Sequence, residues 1–579
     1  MTRSSSLLSL IAFSYLLLVG SVFETSPFLF WIGVLAIFSV SSFGLLRHSA
    51  RISQKLALMI AFLMVFRSTY LIRDFVYDGY ALLPSDSHYS LQLVKLTINS
   101  SRIFGGMGTH RATSYSHFPL ATILSSAFLL ITGIPELPFA TALYPTLTSS
   151  LALCLLLIFY RQVFGLLREE RISSLAVFST FVFSLNIRFL SLYRQFRQEN
   201  LAFVYLLLCL FFIFSRMKPA SRKDRYRYLV PTLICALGIP LCHIATGDVT
   251  IWLLSLFVLL AASIRKIGGS TDHRAYELLD QAQGPLVALL ILILSVSFLW
   301  VREAHSYLLE DLSSRFFSSL LGHEETGFAK FTYFSYTREE ILVILVGNVA
   351  LGILLLLSFI DFFKARKTAM ARFVQCCIIA SAALGLYLIV LSPFRTYVFE
   401  RGYFYMLLFS SIGTAGYIVR TKPRARILAS VLLFLFLASQ LLVRHQCLDI
   451  YGRPLILKSR VRDLSYSFAD FGSFPKGHIA AMKPAGYLEI FTAINMLNPI
   501  CYSPEEVMDE LLHNTDAVVQ ASDYVMIYAD QRIINRYIDP NDLPILKSTV
   551  SSLYGRLDLV YDEGSIQVFG GEKWNQESS

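Results

Sequence analysis

The chain has 579 residues, of which 55% are hydrophobic and 16% are charged, and its formal net charge is +10. About a quarter of the residues of a soluble domain are charged, so this balance excludes a soluble protein and indicates a polytopic membrane protein. The apolar residues form continuous runs, which excludes a membrane β-barrel because barrel strands alternate apolar and polar residues.

Apolar runs long enough to cross a bilayer as an α-helix recur along most of the chain, and they predict about fourteen transmembrane helices. The predicted spans are 7–22, 28–46, 56–72, 118–133, 139–160, 172–190, 201–215, 228–242, 249–264, 285–301, 341–359, 373–391, 403–419 and 427–443. We therefore expect an N-terminal hairpin (1–53), a transmembrane module (54–443) with long loops near 75–117 and 302–340, and a further domain at 444–579.

The basic residues fall on alternate loops. They concentrate near 47–55, 161–171, 216–227, 265–274, 364–372 and 420–426. By the positive-inside rule these loops are cytoplasmic, which predicts a cytoplasmic N-terminus in a cell-membrane protein, and an extracytoplasmic position for Asp86 and for everything after residue 443. The net charge thus reflects topology, and it gives no argument for a nucleic-acid partner.

Five arginines run against this bias because they lie in short segments that the same rule places outside. They are Arg188, Arg194, Arg197, Arg395 and Arg401. An arginine cluster at a membrane surface suits a phosphate, since the guanidinium group binds phosphate oxygens in a bidentate manner and keeps its charge near lipid. The alternative is contact with lipid head groups, or local ion pairs such as Arg197 with Glu199.

Asp86 opens the first long segment outside the membrane. Ser85 or Asp86 can cap an amphipathic segment over 88–104, in which Leu91, Val94 and Ile98 recur at helical spacing. A carboxylate fixed at the start of an interfacial helix, beside an arginine cluster, can act as a base while the arginines hold a leaving phosphate. Otherwise Asp86 is a solvated loop carboxylate.

Short segments follow one another in a distinctive order within residues 54–265. They are Asp86-Ser87-His88, Ser116-His117-Phe118-Pro119-Leu120, Leu130-Ile131-Thr132-Gly133-Ile134-Pro135, Tyr144-Pro145, Tyr160-Arg161-Gln162-Val163-Phe164-Gly165, Tyr193-Arg194-Gln195-Phe196-Arg197-Gln198-Glu199 and Cys242-His243-Ile244-Ala245-Thr246-Gly247. This order resembles the GT-C superfamily of polytopic glycosyltransferases, and its archaeal members in particular. Members of that superfamily use lipid-phosphate-linked sugars.

The resemblance implies an α-helical GT-C fold and a set of site residues. It makes Asp86 the catalytic residue of the first extracytoplasmic loop, and it places the donor phosphate or acceptor against a second group. That group comprises Arg194, Arg197, Glu199, His243, Arg395, Arg401 and His88. It also implies a divalent cation, Mg or Mn, with Asp86, His88 and Glu199 as candidate ligands. Two departures from the family are Ser87, where members often carry a second acid, and the lack of a Trp-Trp-Asp signature.

The resemblance and these residues together predict transfer of a sugar from a polyprenyl-phosphate-linked donor to a glycan, lipid or protein acceptor at the extracytoplasmic face. Membrane lipids are further expected partners. The alternatives are a lipid-linked glycan polymerase or ligase, and a flippase or transporter. A transporter predicts charges near the midplane and broken helices along a pathway.

Two further expectations concern single segments. Arg67 lies deep in the third span, where an unpaired charge costs roughly 2.5–3.5 kcal/mol, so we expect either a partner or a snorkelling route to the interface. A buried acid could be that partner. After residue 443, strand-like runs at 517–519, 524–528, 557–561 and 565–569, a helical stretch at 504–513 and a turn at 561–565 predict a small α/β domain.

Overall fold

A computed structural model describes residues 3–23, 26–47, 50–78, 119–135, 138–186, 196–217, 222–267, 286–296, 338–365, 369–390, 397–448, 479–481, 514–521, 524–528, 543–562 and 566–570, with short pieces within 90–98 and at 189 and 284. The chain divides into two compact units. One comprises Met1–Thr69 with Leu93–Leu448, and the other comprises Tyr70–Gln92 with Asp449–Ser579.

The first unit is built of helices. They are α1 (Arg3–Phe23), α2 (Pro27–Leu46), α3 (Ile52–Asp78, of which residues 52–69 belong to this unit), α4 (Pro119–Thr132), α5 (Tyr144–Leu166), α6 (Ile172–Ser184), α7 (Gln198–Arg216), α8 (Arg222–Cys242), α9 (Ile244–Ile267), α10 (Arg338–Ala365), α11 (Ala369–Val390), α12 (Tyr397–Arg420) and α13 (Pro423–Leu448). A shorter apolar helix, Leu286–Val296, lies between α9 and α10.

Seven helices among the described residues are long and apolar enough to cross a membrane, and a further seven apolar helical stretches of 10–17 residues accompany them. The protein is therefore an α-helical polytopic membrane protein. The number fourteen for the spans stays a prediction, because part of the chain lies outside the described residues.

The helix ends follow from local chemistry. The Ser26 hydroxyl accepts a hydrogen bond from the Leu29 N–H, and Pro27 occupies the first turn of α2, where its missing N–H costs nothing. Gly133 ends α4 in the left-handed region at φ 66°, with its N–H donated to the Leu129 carbonyl at 2.8 Å. Arg168 adopts φ 55° beyond α5 in a similar C-terminal turn, although it is not glycine.

Helix α12 lies at the centre of the first unit, because 89% of the residues in its most apolar stretch are buried. The Tyr160 hydroxyl of α5 donates to the Leu408 carbonyl at 2.9 Å and accepts from the Ser411 hydroxyl at 2.9 Å. Ser179 of α6 donates to the Ser411 carbonyl at 3.3 Å. These hydrogen bonds hold α5, α6 and α12 together where lipid offers no competing partner.

One end of this helical unit carries a small ion-pair network. Arg420, at the last turn of α12, contacts Asp361 of α10 at 2.6 Å and Glu169, beyond α5, at 3.6 Å. The C-terminal ends of α2, α5, α7, α10 and α12 and the N-terminal ends of α3, α6 and α13 are rich in arginine and lysine. We call this the basic end.

In the second unit, the described strands form a four-stranded sheet of order β1-β2-β4-β3, made of β1 (Ile479–Ala481), β2 (Tyr524–Tyr528), β3 (Leu559–Asp562) and β4 (Ile566–Gly570). Strand β1 pairs in parallel with β2, and the other pairs are antiparallel. Two helices, α14 (Thr515–Ala521) and α15 (Leu543–Arg556), accompany it.

The sheet confirms the predicted strand at 524–528 and the predicted hairpin between the last two strands. The predicted strand at 517–519 is wrong, because these residues lie within α14, where Val518 and Val519 form its buried face. A run of three residues is too short to distinguish strand from helix by periodicity. The predicted helix at 504–513 lies outside the described residues.

Candidate donor site at the start of α7

The start of α7 is fixed by aromatic packing. The Phe196 ring lies 4.6 Å from the Tyr144 ring and 5.7 Å from the Phe139 ring, both in edge-to-face geometry. The Tyr144 hydroxyl donates to the Arg197 carbonyl at 2.9 Å. Arg197 has an extended backbone (φ −126°, ψ 139°) and is the N-cap residue of α7. These contacts hold the backbone from which the Arg197 side chain projects.

A π-helical turn, Phe139–Leu143, brings Phe139 and Tyr144 to this place. The Tyr144 N–H donates to the Phe139 carbonyl, five residues back, and Pro145 follows with no N–H that could continue the ordinary four-residue register. Single π turns of this kind recur at functional sites.

The first turn of α7 carries three consecutive polar residues that are almost fully buried: Gln198, Glu199 and Asn200. In the described part of the chain, the nitrogen and oxygen of the Gln198 amide have no hydrogen-bond partner. A helix N-terminus presents free N–H groups and a partial positive charge, so it favours an anion. The Gln198 amide adds a donor that water or a ligand can satisfy.

His243 occupies the break between α8 and α9. Its Nδ1 accepts a hydrogen bond from the Thr246 N–H at 3.3 Å and lies 3.0 Å from the Thr246 hydroxyl. This side chain therefore caps α9, and the accepting role of Nδ1 places the proton of the neutral ring on Nε2.

Three phenylalanines bring a third helix to the same end of the unit. The Phe404 ring of α12 lies 4.3 Å from the Phe203 ring of α7 and 5.1 Å from the Phe183 ring of α6. Phe203 is one turn beyond Asn200, and Phe404 is one turn beyond Arg401. The second turns of α7 and α12 are therefore neighbours, towards the end opposite the basic end.

The described residues cover only part of the predicted site. Arg197, Glu199 and His243 lie at the helix starts described above. Arg401 belongs to α12, but its side chain is outside the described residues, as are Asp86, His88, Arg194 and Arg395.

A metal site is not evident in the described part of the chain, where no group of three or more His, Cys, Asp or Glu side chains could hold an ion. Glu199 supplies one carboxylate, accompanied by the amides of Gln198 and Asn200. One carboxylate does not make a magnesium or manganese site, which draws on several oxygen ligands. The candidate ligands Asp86 and His88 would have to complete it.

Arg67 has hydroxyl partners. Its guanidinium donates to Ser149 and, at 3.0 Å, to Thr146, both on α5. The expectation that Arg67 has a partner is confirmed, since hydroxyl groups satisfy guanidinium donors. A buried acid as its partner stays a prediction. Gln198 and Asn200 were also absent from the predicted site, although three polar residues before a long apolar run were a visible signal.

Neither a protein-family model nor a curated protein matches this sequence. Among solved structures, ArnT from Cupriavidus metallidurans bound to undecaprenyl phosphate matches over 89% of this chain and 97% of its own, at 12% identity and a TM-score of 0.50. Archaeal oligosaccharyltransferase AglB from Archaeoglobus fulgidus, in complex with an inhibitory peptide and a dolichol-phosphate, matches over 94% of this chain and 74% of its own, at 12% identity and a TM-score of 0.51.

The chain has the α-helical membrane fold of these two proteins. A second structure of the archaeal protein, in complex with Zn and sulfate, matches with a TM-score of 0.48. This fold confirms the predicted α-helical polytopic membrane fold class. At 12% identity the likeness concerns the fold, and the chemistry has to be argued from the residues.

Proposed function

We propose that this protein is an integral membrane glycosyltransferase that transfers a sugar from a polyprenyl-phosphate-linked donor to an acceptor. The observation that carries the proposal is the likeness, over about nine tenths of the chain, to two proteins whose structures hold undecaprenyl phosphate and dolichol-phosphate. The agreement of this fold with the motif order in residues 54–265 supports the same reaction class.

The donor phosphate is proposed to bind at the first turn of α7. Arg197 supplies a guanidinium group there, the helix N-terminus favours an anion, and the Gln198 amide offers a further donor. The N-terminal part of α12, which carries Arg401, is a neighbour through Phe404 and Phe203. Arg194 and Arg395 belong to the same proposal on sequence grounds.

The proposed reaction is a direct displacement. The acceptor hydroxyl attacks the anomeric carbon, its proton passes to the Asp86 carboxylate, and the bond from that carbon to the phosphate oxygen breaks. The phosphate leaves with the electron pair, and the arginines stabilise its charge. Attack from the face opposite the phosphate inverts the anomeric centre. Asp86 and His88 enter this proposal from the sequence alone.

The proposal also includes a membrane orientation and a metal. The N-terminus is cytoplasmic and residues 444–579 are extracytoplasmic, as the distribution of basic loops predicts. A Mg or Mn ion, held by Asp86 with His88 or Glu199, would lower the charge on the phosphate. Loss of transfer in a chelator, with recovery on adding either ion, would support it.

The test is transfer of a labelled sugar from polyprenyl-phosphate donors by the full-length protein in lipid. Asp86→Asn and Arg197→Gln should each lower transfer at least a hundredfold, because an acid–base group contributes roughly 10²–10⁴-fold and a charged phosphate contact a similar amount. Arg161→Gln, on the exposed surface of α5 near the basic end, is the matched control and should leave transfer unchanged.

The outcomes separate the alternatives. Unchanged transfer in Asp86→Asn removes that residue from the chemistry. Products that grow by repeated addition to a lipid-linked glycan identify the polymerase or ligase class. Movement of a labelled lipid-linked sugar between leaflets, with no transfer to any acceptor, identifies a flippase.

A further inference from the structure

A cavity of about 810 Å³ opens between α2 and α13, at the basic end of the helical unit. On each helix the lining residues recur every three or four positions, so they lie on one face of that helix. The lining residues of α2 run from Leu35 to Arg47, and those of α13 run from Pro423 to Phe434. Most of this wall is apolar, and several of its side chains, such as Phe43 and Ile427, are highly exposed, as on a lipid-facing surface.

The cavity has an aromatic floor and a charged rim. Phe38 and Phe434 lie towards the end away from the arginines, with their rings 5.4 Å apart. Arg47 and Arg426 lie at the other end. Eight or nine helical residues separate floor from rim, which is about 12–14 Å at 1.5 Å per residue. A single leaflet provides about 15 Å of hydrocarbon, half of the full core. The depth therefore suits the acyl chain of a lipid.

The wall of the cavity supplies no carboxylate, since none of the described lining residues is acidic. Arg420, six residues before Arg426, is paired with Asp361 and Glu169. Arg426 donates one N–H to the Val419 carbonyl at 3.0 Å, whereas its Nε is buried and, within the described part of the chain, has no hydrogen-bond partner. A buried donor left unsatisfied costs free energy, and an anionic oxygen at the rim would remove that cost.

We propose that this cavity binds an anionic glycerophospholipid, with its phosphate at Arg47 and Arg426 and an acyl chain against the wall of α2 and α13. Basic pockets between transmembrane helices are a recurrent way to hold such head groups. The basic end is the side that the positive-inside rule predicts to be cytoplasmic, so the lipid would come from that leaflet. This site is independent of the proposed donor site, which lies at the opposite end.

The test is native mass spectrometry of the full-length protein, titrated with phosphatidylglycerol and, separately, with phosphatidylcholine. One basic residue near anionic lipid contributes about a fivefold change in affinity. Arg426→Gln should therefore weaken phosphatidylglycerol binding by about fivefold or more. Arg424→Gln is the matched control, because it removes the same charge two residues away on an exposed side chain that does not line the cavity.

A second pair of variants tests whether an acyl chain occupies the cavity. Ser430→Phe places a ring inside the cavity and should reduce binding of phosphatidylglycerol, whereas Leu428→Phe adds a ring on the exposed side of the same helix and should not. Thermal unfolding of each variant without added lipid shows whether it has folded. Equal loss in Arg424→Gln and Arg426→Gln, equal affinity for the two lipids, or unchanged binding in Ser430→Phe would each overturn the proposal.

Discussion

At the scale of single residues, the candidate donor site combines fixed backbone with unsatisfied side-chain chemistry. Tyr144 and Phe196 hold the Arg197 backbone, and the Gln198 amide is buried beside it without a hydrogen-bond partner in the described part of the chain. A buried amide of this kind lowers stability unless water or a ligand satisfies it.

Gln198→Leu should therefore separate stability from activity. Replacing the amide by an apolar side chain of similar size removes a desolvation cost and should stabilise the protein by about 1 kcal/mol. Transfer from the lipid-linked donor should fall about tenfold, because a donor group near the phosphate is lost. Thermal unfolding and the transfer assay measure the two effects.

Gln440→Leu is the control for this prediction. Gln440 is equally buried in α13, and its amide also has no partner among the described residues. This substitution should stabilise the protein without a change in transfer. If both variants lose activity to the same degree, the Gln198 amide has no specific role in donor binding.

His243 has a structural role that must be separated from a binding role. His243→Ala removes the cap of α9 and should destabilise the protein by roughly 1 kcal/mol, whereas His243→Asn keeps a capping acceptor and should restore the unfolding temperature. If His243 also binds substrate, transfer stays low in His243→Asn. Recovery of both quantities in that variant would show that the residue is only a cap.

At the scale of helices, close packing depends on small residues. A Cβ on Gly347 of α10 would lie 2.6 Å from the Leu435 carbonyl of α13 and would collide with the Ser439 side chain. A Cβ on Gly352, on the same helix, would meet nothing within 4 Å. Small residues of this kind let membrane helices approach closely.

Gly347→Ala should lower stability by about 1–3 kcal/mol because it overpacks the contact between α10 and α13. Gly352→Ala, its matched control, should be neutral or stabilising by up to about 1 kcal/mol, since alanine has the better helix propensity. Unfolding temperatures in one detergent compare the two variants. A similar decrease in both would show that this helix contact is not tight.

Helix α6 is shorter than the sequence predicts. The apolar run at 172–190 predicted a full span, yet α6 comprises Ile172–Ser184, 13 residues, or about 20 Å. Every residue of α6 from Leu175 onward is buried. Because protein rather than lipid surrounds it, the chain can leave the helix early. A run of apolar residues does not reveal which neighbour will cover it.

At the scale of the whole molecule, the fold was predictable and much of the site was not. The continuous apolar runs and the order of motifs such as Tyr144-Pro145 were sufficient for the fold class. The tertiary partners of Arg67 and the neighbouring positions of Phe203 and Phe404 were not predictable, since they depend on which helices pack together. Arg197 and Glu199 were nominated for their charge, whereas Gln198 is distinguished only by its burial.

The predicted orientation can be measured directly. Alkaline phosphatase fused after residue 579 should be active and green fluorescent protein at the same place dark, because the first folds only outside the cytoplasm. Fusions after residue 424, at the basic end, should give the opposite pair of results. The exchanged result, with residue 424 outside and residue 579 in the cytoplasm, would reverse the proposed side of the reaction.

The π turn at Phe139–Leu143 has a consequence for how this site is encoded. Deleting one residue from the turn would restore the four-residue register, and the chain before it would rotate by about 100° around the helix axis. Phe139 would then leave Phe196 although every contacting side chain were unchanged. The aromatic support of Arg197 is therefore specified by the number of residues in this turn as much as by their identity.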